Sequence, residues 1–335
     1  MPQQGDIAGA AARSVQARAR VRDHIVKTPL LGASGIGDAV GGTVLFKCEN
    51  FQLTNSFKAR GAFSKLTAPA GAAHAMPFVT ASSGNHGIAS SLAAARLGRT
   101  LSVVLPHSVS RAKLARIRAF GVDVVLHGEE SGAAEAHARR LAEEKGFVYV
   151  SPYNDPEIVA GQGTIGLELL EQHGAIDNVF VAMGGGGLIG GIGAVLKAFS
   201  PRTRIIGCAA ENSMALAASM EAGKVVEVEH LPTLADGVAG GMDEDSVTLG
   251  LARSVVDDVV VCSESEIAAA LARLAVEEHL LVEGAAGLAL AGLLKQPERW
   301  RGQVNAVVLC GGNFDYDELI AVVAAARPAK EAEHG

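Results

Sequence analysis

The stretch Asn178-Val179-Phe180-Val181-Ala182-Met183-Gly184-Gly185-Gly186-Gly187-Leu188-Ile189-Gly190-Gly191-Ile192-Gly193-Ala194-Val195-Leu196-Lys197-Ala198-Phe199 decides the fold class. Its first six residues are a near-continuous apolar run, predicted as a strand over Asn178–Met183. A strand apolar on both sides is covered on both faces, as in a parallel sheet. The residues from Leu188 to Phe199 follow as a helix. Between them, four glycines can turn their N–H groups into one pocket without Cβ obstruction. A phosphate at that helix start is the natural guest. A tight strand-to-helix turn with no ligand is the plainer alternative. The pattern is not a Walker loop, because no Lys-Ser/Thr follows. Nor is it a dinucleotide fingerprint on the chain's first strand, since no acid closes the next strand before Glu211.

Working outward, the same alternation recurs. Apolar runs stand at Thr43–Lys47, Phe78–Ala81, Leu101–Pro106, Val122–His127, Arg204–Ala210, Val255–Cys262 and Val304–Cys310. Helical patterns separate them. Ala112–Phe120 carries Leu114 and Ile117 inward. Glu266–Glu278 carries Ile267, Leu271 and Leu274, after a capping box opened by Ser263. The expected fold is α/β, with parallel-rich open twisted sheets flanked by helices. There is no internal repeat and no long linker. A chain of 335 residues suits two modest domains or one large unit. The expected division is residues 1–76 plus 154–335 as a large domain and 77–153 as a small one. The tail from Arg327 reads as charged and frayed.

Composition narrows the function classes. Net charge is −7, and the one dense basic stretch, Arg111 to Arg118, reads as the wet face of a helix. That leaves no nucleic-acid footprint. No apolar run reaches the ~20 residues of a membrane span. Met1 to Arg22 lack the apolar core of a secretory signal, so a cytoplasmic protein is expected. Cys48, Cys208, Cys262 and Cys310 show no CxxC spacing. The first three read as small buried hydrophobes in a reducing compartment.

Three further segments carry chemistry. In Asn55-Ser56-Phe57-Lys58-Ala59-Arg60-Gly61, a helical pattern starts at about Ser56. Lys58 then lies in the first turn, where the positive helix end disfavours its ammonium form. A lowered pKa is what a nucleophilic amine needs. An exposed surface lysine is the competing reading. Thr80-Ala81-Ser82-Ser83-Gly84-Asn85-His86-Gly87 runs from a strand into the helix Ile88–Leu97 and offers N–H, hydroxyl and amide donors sized for a carboxylate. His86 alone reads more readily as a structural hydrogen-bonder than as a base. Val307-Val308-Leu309-Cys310-Gly311-Gly312-Asn313 places a thiol at the carboxyl edge of a sheet, where open α/β folds bind ligands.

Taken together, these motifs resemble the fold-type II pyridoxal-phosphate enzymes, specifically the threonine/serine dehydratase and serine racemase group. The resemblance spans nearly the whole chain. It includes Lys27-Thr28-Pro29-Leu30, Ser56 to Gly61, Ser82 to Gly87, Ala160-Gly161-Gln162-Gly163-Thr164, the tetraglycine, Ala235-Asp236-Gly237-Val238 and Gly311-Gly312-Asn313. It implies a two-domain, tryptophan synthase β-like architecture, pyridoxal 5′-phosphate as cofactor, a small amino-acid substrate and a homodimer. Lys58 would hold the cofactor covalently and shuttle the α proton, with Phe57 packed beside the ring. Asn85 would bond the ring's phenolic oxygen. Ser82, Ser83, Gly84, Asn85 and His86 would grip the substrate carboxylate. Gly184, Gly185, Gly186 and Gly187, with Leu188, would bind the phosphate. Cys310 would face the pyridine nitrogen, and Ser83 would reprotonate from the opposite face in racemase-like members.

Two departures matter. The cation site of racemase-like members pairs a Glu, matched by Glu211, with an Asp six residues on, where this chain has Ala217. No metal is therefore expected. The arginines that some members place near Gly132 for acidic substrates are also missing. The leading expectation is a dehydratase, an ammonia-lyase taking L-threonine or L-serine to a 2-oxo acid and ammonia. Serine racemisation, and dehydration of phenylserine or 3-hydroxyaspartate, stand as alternatives within the group. A β-replacing synthase has no legible second-substrate site. A nucleotide-binding regulatory protein would leave Lys58 and Cys310 without a task.

Overall fold

The computed structural model describes residues 5–69 and 76–326. The tail from Arg327 lies outside them. The strands are β1 (Leu30–Gly32), β2 (Thr43–Cys48), β3 (Phe78–Ala81), β4 (Leu101–Leu105), β5 (Asp123–Leu126), β6 (Val148–Tyr149), β7 (Asn178–Ala182), β8 (Arg204–Ala210), β9 (Asp258–Cys262) and β10 (Val304–Leu309). The helices are α1 (Ile7–Val21), α2 (Ile36–Val40), α3 (Lys58–Thr67), α4 (Asn85–Leu97), α5 (Arg111–Arg118), α6 (Ser131–Lys145), α7 (Pro156–Gln172), α8 (Gly187–Phe199), α9 (Ala215–Ala222), α10 (Val247–Val255), α11 (Glu264–Val276), α12 (Gly284–Leu294) and α13 (Tyr316–Ala326).

Two sheets result. One has six strands in the order β1-β2-β10-β7-β8-β9, the other four in the order β5-β4-β3-β6. Every pairing is parallel except β1 with β2. The apolar-on-both-faces rule therefore holds: β7 and β10 are buried almost throughout. Val255 ends α10 rather than opening a strand, because Val247, Leu251 and Val255 recur at helical spacing. The short β1 and β6 were not foreseen, since two- and three-residue strands carry no periodicity. The capping box is present: Ser263 Oγ accepts from Glu266 N–H, and Glu266 accepts from Ser263 N–H.

Each sheet has its own apolar core. The large core gathers β2, β7, β8 and β10 with α8, α11 and α12. The small core joins β3 and β4 to α4 and also to α3, through Ala59, Ala62, Phe63 and Leu66. Burying a side chain such as Phe63 contributes about 1.5–3 kcal/mol. Helix α3 thus shares the small core, packing on α4 and also on α7, while the residues before it are tied to the large sheet. Phe57 N–H donates to Cys310 O at 3.0 Å, Gly312 N–H to Asn55 O at 2.8 Å, and Ser56 bridges to Gly311. Lys58 sits at that junction.

Beneath it lies a buried ionic cluster. Arg60 binds Glu49 through Nε (2.7 Å) and Nη2 (2.8 Å), and Glu168 through Nη1 (2.7 Å) and Nη2 (2.9 Å). Lys47 Nζ donates to Glu168 at 2.5 Å and to Thr28 O and Gln172 at 2.9 Å. Two cations face two anions, all of them buried.

Candidate active site

The residues expected to bind cofactor and substrate line one cleft of about 990 Å³: Phe57 and Lys58, Ser82 to His86, Gly184 to Leu188, and Cys310. That volume matches a site for a cofactor and a small substrate. A shallower depression of about 400 Å³ at Gly32–Val44 has one ionisable lining residue, Asp38, and no converging chemistry.

Lys58 is the first residue of α3. The helix begins two residues later than expected, because Ser56 is extended and bridged to Gly311. Before it, Thr54 (φ 62°) and Asn55 (φ 57°) are left-handed. Asparagine tolerates this, whereas a β-branched threonine is strained there. Asn313 Nδ2 satisfies the Thr54 carbonyl at 2.7 Å. The ε-amine of Lys58 donates to Pro152 O at 2.8 Å and lies 5.1 Å from the Phe57 ring centroid. Burial lowers its pKa to about 8, partly opposed by Cys310 and Glu283. Desolvation, more than the helix end invoked from sequence, is the main cause.

The Ser82–Gly87 turn opens α4. Its first-turn N–H groups lack partners within the helix. Gly87 is obligatory, since a Cβ there would lie 1.8 Å from Ser82 O. The His86 ring is buried and Nε2 bonds Val150 O at 2.9 Å. Burial, with Lys58 adding to it, drives its pKa down to about 3. The ring is therefore neutral with its proton on Nε2, and the backbone N–H is the donor left for an anionic ligand.

The four glycines turn from β7 into α8. Gly186 is left-handed (φ 86°), and a Cβ on Gly185 would strike the Tyr153 ring at 2.4 Å. Tyr153 covers this loop, held by Asp243 N–H donating to its Oη at 2.6 Å. Side chains are excluded on the packed side, and the N–H groups at the start of α8 remain for an anion. Opposite, burial holds the Cys310 thiol well above its usual pKa, so it stays neutral.

Sequence reasoning missed Tyr153 and Glu283 and gave Asn313 no task. Glu283 is 4% exposed and lines the cleft. Its signal was an acid in the apolar run from Leu280 to Leu294. A buried amine shifted toward its neutral form, a glycine turn with free N–H groups and a second N–H cradle therefore share one cleft, and the residues present fit pyridoxal phosphate.

The chain belongs to the pyridoxal-phosphate dependent enzyme family, whose profile matches residues 21–311. It is similar to the L-threonine ammonia-lyase of Thermotoga maritima, at 35% identity over 92% of this chain and 76% of that one. The catabolic L-threonine dehydratase of Escherichia coli is 36% identical over 91% and 93%. Among solved structures, the processed threonine deaminase isoform 2 of Solanum lycopersicum superposes with a TM-score of 0.91, 31% identity, and coverage of 97% and 90%. Maize serine racemase superposes with a TM-score of 0.86, 31% identity, and coverage of 94% and 97%.

Proposed function

We propose that this protein is an ammonia-lyase that dehydrates a small β-hydroxy amino acid, L-threonine or L-serine, to a 2-oxo acid and ammonia. The observation that carries the reading is the Lys58 amine, softened toward its neutral form, in one cleft with the Ser82–His86 turn and the tetraglycine. The named relatives agree with it over about nine-tenths of the chain. When bound, pyridoxal phosphate supplies the electron sink for breaking the Cα–H bond.

The chain's own residues do the rest. Lys58 holds the cofactor and moves the α proton. Gly184 to Gly187 and Leu188 would hold the phosphate, and Phe57 would pack beside the ring. Ser82, Ser83, Gly84, Asn85 and the His86 backbone grip the substrate carboxylate, with Asn85 also bonding the phenolic oxygen. Cys310, which lines the cleft, would face the pyridine nitrogen. A neutral thiol is a weak donor and cannot force a proton onto that nitrogen. Elimination of the β-hydroxyl is then favoured over transamination.

A second activity, racemisation of serine, is supported by Ser83 lining the cleft; delivery of a proton by Ser83 from the side away from Lys58 is what the resemblance to racemase-like members implies. The two-domain division at residues 77 and 153 belongs to this proposal, supported by a second sheet built only from residues 78–149. So do a homodimer and a cytoplasmic setting, the latter supported by four free, buried cysteines. Among the described residues no helix is long and apolar enough to cross a membrane.

The test is a panel of β-hydroxy amino acids, including phenylserine and 3-hydroxyaspartate, assayed for 2-oxo acid and for the opposite enantiomer. Oxo acid from L-threonine or L-serine is expected. Turnover of neither, with product from another member of the panel, would replace the substrate.

A further inference from the structure

Glu283 immediately precedes α12. A residue there commonly turns its side chain back onto the helix's free N–H groups. Glu283 makes no such bond. Its carboxylate instead faces the cleft. Both oxygens accept from Asn85 Nδ2 at 3.0 Å, and Oε2 accepts from Asn313 N–H at 3.1 Å. Asn313 Nδ2 donates in turn to Asn85 Oδ1 at 2.7 Å, and Asn313 Oδ1 accepts from Arg116 Nη2 at 2.8 Å. Space has been cleared for the carboxylate: a Cβ on Gly311 would lie 2.5 Å from its Oε1.

The consequence falls on the Asn85 amide. Its oxygen is taken by Asn313. One Nδ2 hydrogen is taken by Glu283, and the other remains. A carboxyl group that presents only lone pairs to Asn85 forbids the flipped amide, because oxygen would then meet oxygen. We propose that Glu283 is a positioning residue for the bound cofactor: it holds the Asn85 amide so that its remaining hydrogen serves the phenolic oxygen, and its charge sets the strength of that bond. This rests on the cofactor role assigned to Asn85 above.

The surroundings make that charge changeable. Burial pushes the Glu283 carboxyl up to about 7; the Asn85 and Asn313 amides pull it down, Asp236 pushes it further up, and Lys58 pulls it down. The titratable groups facing it are therefore Lys58 from α3, Asp236 from the turn before α10, and Cys310 after β10. No cation closes onto the carboxylate within ion-pair distance among the described residues.

The experiment compares cofactor-loaded parent and Glu283→Gln by visible absorbance from pH 5.5 to 9. The glutamine can still accept from Asn313 N–H, so the fold should persist, but it carries no charge and admits the flipped amide. The parent's band should show a titration step in this range as Glu283 changes charge, and that step should vanish in the variant. Cofactor affinity should fall by ~2–10-fold, the effect of one hydrogen bond. Asn85→Ala, with Glu283 intact, should lose the same step and serves if the first variant does not fold. A step that survives in both variants, or is absent from the parent, overturns the proposal and leaves the ammonia-lyase reading intact. A parent that takes up no cofactor overturns both.

Discussion

Two groups of buried charges lie close together around α3, and they have opposite chemistry. Arg60 and Lys47 are matched by Glu49 and Glu168, each bond 2.5–2.9 Å long. Burial would neutralise these groups, and it does lower the Lys47 ammonium against the opposing pull of Glu168 and Glu49; yet Arg60 and Lys47 hold Glu168 below the usual carboxylate range, and Arg60 itself is raised. Two residues earlier, Lys58 has only a carbonyl at 2.8 Å, and Glu283 has only amides. Both are shifted toward their neutral forms. Paired burial makes a rigid footing, while unpaired burial leaves a reactive amine and a carboxyl that can change charge near pH 7.

Removing the reactive member should have the largest effect. Lys58→Ala is expected to lower oxo-acid formation by roughly a thousand-fold or more, and normal production by the variant would dissolve the contrast. Stability should respond in the opposite sense at the two sites. Arg60→Met leaves Glu49 and Glu168 buried without their partner and should cost about 3–5 kcal/mol in a urea titration. Lys58→Met in cofactor-free protein removes an unpaired buried amine and should leave the midpoint unchanged or higher. Equal losses from the two changes would mean the Lys58 amine is structural.

The contrast also has a pH signature. The amine reacts when neutral. Because burial lowers its pKa to about 8, cofactor uptake by the empty protein should rise ~10-fold per unit below pH 8 and level off above it. A rise continuing toward pH 10 would restore an ordinary lysine. Cys310→Ser should keep most dehydratase activity, since a neutral small donor replaces another. Cys310→Asp should shift the product ratio toward side reactions, and an Asp variant identical to the parent would move Cys310 away from the ring. The smallest effect is expected from chelators. Ala217 offers no side-chain oxygen where a carboxylate would pair with Glu211, so activity lost to a chelator and restored by magnesium would mean other ligands complete a cation site.

Much of this was legible in the residues, for identifiable reasons. The unbroken apolar run of β7 and the glycines after it define both an element and its turn, so the sheet class and the anion cradle could be read together. The site motifs were legible because each lies within a few consecutive residues. The tie from Phe57 to Cys310 was not, since it joins positions 253 residues apart. Glu283 escaped for the same reason. Its partners, Asn85 and Asn313, are 198 and 30 residues away, and the one local signal, an acid in an apolar run, does not say what it faces. The cause of the Lys58 shift also needed the structure, because the helix end is a local feature whereas desolvation depends on what packs around the amine.

The central claim is that Lys58, and no other lysine, carries the cofactor. Borohydride reduction of the cofactor-loaded protein, followed by digestion and peptide mass mapping, tests it most directly. The added pyridoxyl-phosphate mass is expected on the peptide containing Lys58, with loss of the visible band. The same mass on a peptide containing Lys47, Lys65 or any other lysine would contradict the account.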